Sequence, residues 1–499
     1  MLAEWSVAGK AKSMRRLLAL LLIPALSLAP GACRQQPAGT MRAVVIGGEP
    51  EVRDPALGPL PPEDAILLQN VAQGLVRFDA SGNIIGGLAE RWNVSDDGLS
   101  YIFRLASAQW PDGKKITAPQ VAKLLKRQLA ARSRNSMKDS LGAVEDVVAM
   151  TDRVIEIQLL SPRPNLLSLL AQPELAILRN RDGTGPFRAE PSDVSGRELR
   201  LVREIAGSDD EESQKEEVLL SGASAADAIG QFANDKADLV LGGTFVDLPI
   251  AQRAKLRRGA IQFDNDSGLF GLVPMHAGGG MDDPDVRHLL SQAIDRANYV
   301  AKVGVAGLTP RATLLEAGLD GLSPPTAPAW FATPLGDRIA ALKSRVENKF
   351  GKDKRTIRVA LPEGPGADIL FQELQRDWGM IGLTVERAPS AASADFMMID
   401  ELAPSSSPAW FVRRFRCGAV AVCDPQADEL MDAARDTPVA AQRYALFAQA
   451  AARIDDAQLF IPITAPIRWS LVSNRVQGFA GNRYARHTLT DLGQQPGKE

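Results

Sequence analysis

The densest chemistry in this sequence is a run of cations. "WFVRRFRCG", residues 410–418, carries Arg413, Arg414 and Arg416 beside Trp410. A guanidinium can grip a carboxylate through two parallel hydrogen bonds. If the segment is a strand, Arg413 and Arg414 point to opposite faces, so at most one of them reaches a given ligand. The alternative is that all three alternate into solvent, where such charges contribute little. Two cysteines, Cys417 and Cys423, follow in "RCGAVAVCDP". An even pair this close reads as a local disulfide in an oxidising compartment, with two buried thiols as the alternative. A metal is not expected there, because no histidine lies nearby and two thiolates leave zinc half-ligated.

Nothing else in the chain is arranged for catalysis. The three histidines, His276, His288 and His487, form no HExxH or comparable pair. There is no GxSxG elbow and no Walker-type phosphate loop. Carboxylates are plentiful, but no pair is singled out for acid–base work. We expect no catalytic residue, no metal and no cofactor, and a protein that binds rather than transforms.

The N-terminus says where it does so. Met14-Arg15-Arg16 precedes "LLALLLIPALSLAPGAC", a basic start, an apolar run and a small-residue exit. That is the pattern of a secretory signal peptide over residues 1–32, with translation starting at Met14. The run is shorter than the roughly 20 apolar residues of a spanning helix. "PGAC" resembles a bacterial lipobox, with Pro30 where Leu is usual, so Cys33 is the expected lipidation site and 33–40 a polar tether. The alternative is a freely secreted protein. Without residues 1–32 the 57 basic residues fall by four to 53 and the 60 acidic by one to 59, a net charge of −6. That balance does not suggest a polyanion binder, since a phosphate-tracking surface needs concentrated basic charge. The length suits two or three core-forming units.

The elements that must position these residues alternate between strands and helices. A strand is predicted at 42–46 and a helix near 64–74. Tyr101, Phe103 and Leu105 alternate with Ile102 and Arg104, between turns at Asp97-Gly98 and Asp112-Gly113. Thr117 and Gln120 have capping-box spacing before a helix with Val121, Leu124, Leu125 and Leu129 on one face. "GSDDEESQKEE", 207–217, reads as a solvated loop, and the glycine-rich 264–281 as a loose crossing between two bodies. Asp283 caps a helix that buries Val286, Leu289, Leu290, Ala293 and Ile294. "TIRVALPEGPGADILFQELQRDWGMIGLTVERA" reads strand, helix, strand. The helix 440–455 packs Leu446, Phe447, Ala450, Ala451 and Ile454, and "FIPITAPIRWSLVSN" returns as strand.

One stretch is more specific than periodicity. "GLVRFDASGNIIGGLAERWNVSDDGLSYIFRLASAQWPDGKKITAPQVAKLLKR" resembles the signature region of bacterial extracellular solute-binding proteins of family 5. Further landmarks follow in matching order: "GGEPEVRDPA", "GTGPFRAE", "DDPDVRHLLSQAIDR", "FIPITAPIRW" and "VQGF". The resemblance implies an α/β fold, two-lobed in the manner of periplasmic binding proteins of type II, with an extra subdomain in lobe one and a hinged ligand cleft. It implies lobe one from 41–66, 173–265 and 470–499, the subdomain from 67–172, and lobe two from 266–469. The cysteine pair is similar to a short disulfide loop of the second lobe in this family.

The function implied is a substrate-binding lipoprotein of an ABC importer, taking peptides or peptide-like solutes to a permease and ATPase complex. It would be a monomer held by lipid in the periplasm or on the outer face of the cell membrane. The alternative is a binding-protein scaffold serving as an envelope sensor or accessory protein without import. Ligand contacts are expected from Glu49, Trp110, Trp410, Arg413 and Arg414. The "ADYPDP"-like motif by which relatives capture a peptide's amino group is missing. Asp400 and Glu401 are out of step with it and arginines crowd the same region, which raises the expectation of a carboxylate-bearing ligand.

Overall fold

Alternation along Tyr101, Phe103 and Leu105 buries all three on one face of the strand Ser100–Leu105 and leaves Ile102 exposed on the other. The flanking turns place Gly98 and Gly113 at φ +70° and +79°, conformations that favour glycine. Asp97 and Asp112 brace them by accepting from the N–H groups of Leu99 and Lys114, at 3.0 and 3.1 Å. In the computed structural model, which describes residues 40–192, 198–205, 214–351, 355–490 and 492–493, this strand belongs to a four-stranded antiparallel sheet. Its order is Ala89–Val94, Ser100–Leu105, Val154–Leu159, Val144–Thr151. The helix Ala118–Leu129 covers one face with Val121 and Leu125 buried. Thr117 stands at its N-cap but makes no side-chain cap bond. Gln120 instead accepts from the Trp110 indole N–H at 3.1 Å, so the capping box does not form.

Two larger mixed sheets make up the rest. The seven-stranded one runs Ile261–Phe263, Arg468–Val472, Leu239–Thr244, Met41–Ile46, Gln214–Ala223, Glu198–Ile205, Arg188–Pro191. Met41–Ile46 pairs in parallel with both neighbours, and its apolar run is buried accordingly. The five-stranded one runs Thr384–Arg387, Thr356–Ala360, Phe396–Leu402, Gly268–Pro274, Ile461–Pro462. Its strand–helix–strand unit is built by the helix Pro365–Met380 between two parallel strands. The chain passes between these sheets twice, at 264–267 and 463–467.

Three expectations need correction. Residues 268–274 are no loose crossing but a strand buried at every position. Glycine is there because a Cβ on Gly271 would overlap the Ile461 carbonyl and the Phe460 ring. The charge run is no simple loop, since residues 214–217 open the strand Gln214–Ala223 and Glu216 and Glu217 pair across the ladder with Arg203 and Arg200; residues 207–213 lie outside the described ones. The arginine segment is not a strand: Pro408–Arg413 is a short helix with Pro408 in its first turn.

The other elements form as the periodicity predicts. Asp283 accepts from Asp285 N–H at 2.9 Å to cap the helix Pro284–Gln292, which together with the following turn buries the five expected apolar residues. The helix Ala440–Asp456 buries Phe447, Ala450, Ala451 and Ile454, with Leu446 partly covered. "FIPITAPIRWSLVSN" splits between sheets: Ile461–Pro462 ends one, and Arg468–Val472 enters the middle of the other.

Candidate functional site

Where the chain passes between sheets, the strand ends of both enclose a cleft of about 490 Å³. Leu239–Thr244 contributes Gly242, Gly243 and Thr244; Phe396–Leu402 delivers Glu401 and Leu402; Arg468 and Trp469 come from the returning strand. Trp469 is 1% exposed, donates its indole N–H to Thr244 O at 2.7 Å, and lies against Gly243, where any Cβ would strike the ring.

The basic side chains around this cleft each meet a carboxylate. Arg468 Nη1 reaches both Asp400 carboxylate oxygens at 2.9 Å, linking a strand of one sheet to a strand of the other. Burial pushes the Asp400 carboxyl up, and Arg468 opposes that rise. Arg414 forks onto Glu401 at 2.9–3.2 Å. Arg486 meets Glu174 at 2.9 Å, and His487 meets Asp264 at 3.1 Å. Asp266, on the first passage between sheets, is 7% exposed. Burial first, then its neighbour Asp264, holds its carboxyl well above the usual carboxylate range.

A second cavity of about 270 Å³ adjoins the first, sharing Ser140, Pro404 and Trp410 with it. Its walls are residues 139–169, around the antiparallel sheet, and residues 404–447 on the five-stranded side. Leu169, Trp410, Met431 and Phe447 make it apolar, and Arg163, Arg413 and Arg443 reach into it. Arg413 donates to Asp139 O at 2.6 Å and Ser140 Oγ at 3.3 Å, while its buried Nε has no partner. Arg443 is 3% exposed and donates to Thr437 O at 3.3 Å. Arg163 reaches only the adjacent Pro162 carbonyl, at 3.2 Å. Burial, then Arg443 and Arg413, lowers its guanidinium to about 10.

The expected ligand residues fall in different places. Trp410 stands between the two cavities and Arg413 lines the smaller one. Arg414 lines neither cavity and pairs with Glu401, which lines the larger one. Glu49 is exposed and lines neither cavity. Trp110 is 2% exposed in the core of the antiparallel-sheet region, with the Arg179 guanidinium 4.6 Å from its ring centre. Cys417 and Cys423 are bonded, their Cα atoms 5.1 Å apart, and Cys33 lies outside the described residues. Among the described residues no His, Cys, Asp and Glu cluster could hold a metal ion. Sequence reasoning missed Arg163, Arg443, Arg468 and Asp266. Only Arg468 left a local trace, a cation inside the apolar run "FIPITAPIRWSLV".

Residues 83–403 match the family model described as bacterial extracellular solute-binding proteins, family 5 Middle. The "Probable di/tripeptide-binding protein 5" of Pseudomonas aeruginosa (strain UCBPP-PA14) is 25% identical over 494 residues, spanning 83% of this chain and 88% of that one. The "Probable deoxycholate-binding periplasmic protein YgiS" of Escherichia coli (strain K12) is 31% identical over 129 residues, only 22% of this chain and 24% of its own length. Haemophilus influenzae OppA, solved with the peptide RPPGFSPFR, superposes with a TM-score of 0.77 at 17% identity, over 92% of this chain and all of that one. That likeness is one of fold.

Proposed function

The chain belongs to the bacterial extracellular solute-binding proteins of family 5, and on that premise we propose that it holds a peptide or peptide-like solute in the cleft between its two lobes and hands it to a membrane permease and ATPase. The observation that carries this reading is the cleft at the two passages between sheets, where Trp469, Gly242–Thr244 and Trp410 converge. A ligand there touches strands of both lobes, so binding favours one closed arrangement that a transporter can distinguish from the empty one. We take residues 67–172 as the inserted unit, as the family resemblance implies. We move the end of the second lobe from 469 to 467, because the strand Arg468–Val472 lies in the seven-stranded sheet. The protein acts by binding, in keeping with its family, and not as an enzyme.

Mass spectrometry of ligand released from protein purified out of the cell envelope tests the cargo. Peptides in the released fraction support the reading, and a uniformly non-peptide cargo overturns it. We further propose that Cys33 anchors the mature protein by lipid. Cys33→Ala then moves it from the membrane to the soluble envelope fraction, and unchanged membrane association refutes the anchor.

A further inference from the structure

Buried cations are costly unless an anion meets them. Arg443 is buried and Arg163 and Arg413 are partly so. Among the described residues none of the three forms an ion pair with a carboxylate, and only Arg413 has one near enough to favour its charge, that of Asp139. Their hydrogen bonds go to carbonyl and hydroxyl oxygens, Pro162 O, Asp139 O, Ser140 Oγ and Thr437 O, and Arg443 also lies over the Tyr444 ring, 5.8 Å from its centre. Two other arginines on the rim differ, since Arg416 reaches Asp432 at 2.7 Å and Arg435 reaches it at 3.3 Å. Asp139, the one carboxylate residue among those lining the cavity, is exposed. The chamber thus gathers three guanidiniums, with Arg163 repelled by the other two and no closer counter-charge than the exposed Asp139 carboxylate beside Arg413.

Its size and position narrow the occupant. About 270 Å³ is less than the roughly 300–1,000 Å³ of a pocket that takes a whole ligand. The chamber adjoins the larger cleft at Ser140, Pro404 and Trp410, so it suits one end of a ligand whose remainder lies there. From these observations we infer that the chamber receives the terminal carboxylate of the ligand together with an apolar group next to it. Arg163, Arg413 and Arg443 hold the carboxylate, and Trp410, Met431 and Phe447 hold the apolar group. The inference rests on the proposed cleft-binding function and names the chemistry of that function's ligand. It also gives the carboxylate a mechanical part. Arg163 comes from beside the antiparallel sheet, and Arg413 and Arg443 from helices on the five-stranded side. One anion between them ties these parts together, adding to the Asn165–Ser405 hydrogen bond of 2.8 Å that already spans the gap.

A peptide ending in an apolar residue and a non-peptide apolar acid offer the same chemistry. Calorimetry on the purified full mature protein separates them, using Ala-Ala-Phe as free acid, the same tripeptide as C-terminal amide, and decanoate. The free acid is expected to bind at least about tenfold more tightly than the amide, the scale of a charge-assisted contact. Arg163→Gln weakens the free acid by about tenfold and leaves the amide unchanged. Arg413→Gln repeats the pattern and guards against a folding artefact. A further readout is the melting temperature without ligand, which Arg163→Gln raises by relieving repulsion. Equal binding of acid and amide in the parent protein, unaltered by either substitution, overturns the chamber while leaving the peptide receptor standing. Decanoate binding that is lost in Arg163→Gln, with neither tripeptide form binding, supports the chamber and overturns the peptide reading. No binding of any probe overturns the chamber, and it counts against the receptor as well only if purified protein also releases no peptide.

Discussion

The two adjoining cavities handle charge in opposite ways. Around the cleft, Arg468, Arg414, Arg486 and His487 each face a carboxylate supplied by the fold. In the chamber, Arg163, Arg413 and Arg443 donate hydrogen bonds only to neutral oxygens, and the one carboxylate nearby, Asp139, is exposed. Internally matched charges stabilise the protein whether or not a ligand is present, so the cleft's ions belong to the architecture. Charges left unmatched at a cost in stability await an outside partner. Proximity to a cavity therefore does not distinguish a binding arginine from a structural one; its counter-ion does. Arg413 and Arg414, adjacent in sequence, fall on different sides of that line.

Three substitutions test the contrast in stability. The largest effect is expected at Arg468→Ala, which leaves Asp400 buried near Asp266 and Asp264 without its cation. Denaturant unfolding should register a loss of about 3–5 kcal/mol. Most of it should return in Arg468→Met with Asp400→Leu, where neither charge remains. A loss under about 1 kcal/mol would place this pair with surface charges and dissolve the contrast.

Asp266→Asn comes next, and its effect depends on pH. Below about pH 4 both folded and unfolded chains carry this proton. As pH rises the unfolded chain ionises first, because the folded carboxyl is held well above its usual range. Stability therefore falls with rising pH until the folded pKa is passed. The asparagine variant escapes that loss and should gain about 1–2 kcal/mol over the parent at pH 8, with little difference near pH 4. Parallel stability–pH curves for the two proteins would show that the Asp266 carboxyl is not perturbed.

The smallest effect is expected at Arg414→Ala. Both partners of its pair with Glu401 are about a third exposed, at 34% and 39% of their side-chain surface. Removing it should cost less than about 1 kcal/mol and leave ligand affinity within about twofold. A tenfold loss of affinity would move Arg414 into the binding set and break the rule drawn from its counter-ion.

What the sequence revealed depended on how local each feature is. The antiparallel sheet was legible because Tyr101, Phe103 and Leu105 alternate between two Asp-Gly turns within one short window. The helix after Asp283 was legible from its cap and apolar spacing. The strand Gly268–Pro274 was not, because a strand buried on both faces has no alternation and its glycines mimic a linker. The helix Pro408–Arg413 spans six residues, too few for a period to show; Pro408 after Ser407 was its one signal. The chamber was beyond reach, since Arg163 and Arg443 are far apart in the chain and neither sits in a motif. Trp410 and Arg413 stood out in the sequence and both line cavities, but nothing near them indicated which arginine would lack an ion pair.

Arg468–Val472 lies between Leu239–Thr244 and Ile261–Phe263 in the seven-stranded sheet, so a strand made near the end of synthesis fills a place between two made much earlier. Until it arrives, one flank of Leu239–Thr244 is an unpaired edge and Ile261–Phe263 has no neighbour to join. Vectorial synthesis therefore produces most of the second sheet before the first can close. Such long-range pairing is slow and exposes strand edges in the interval. A chain that ends before Arg468 would carry a nearly whole second sheet beside a permanently gapped first one, a natural target for proteases and for aggregation through the open edge.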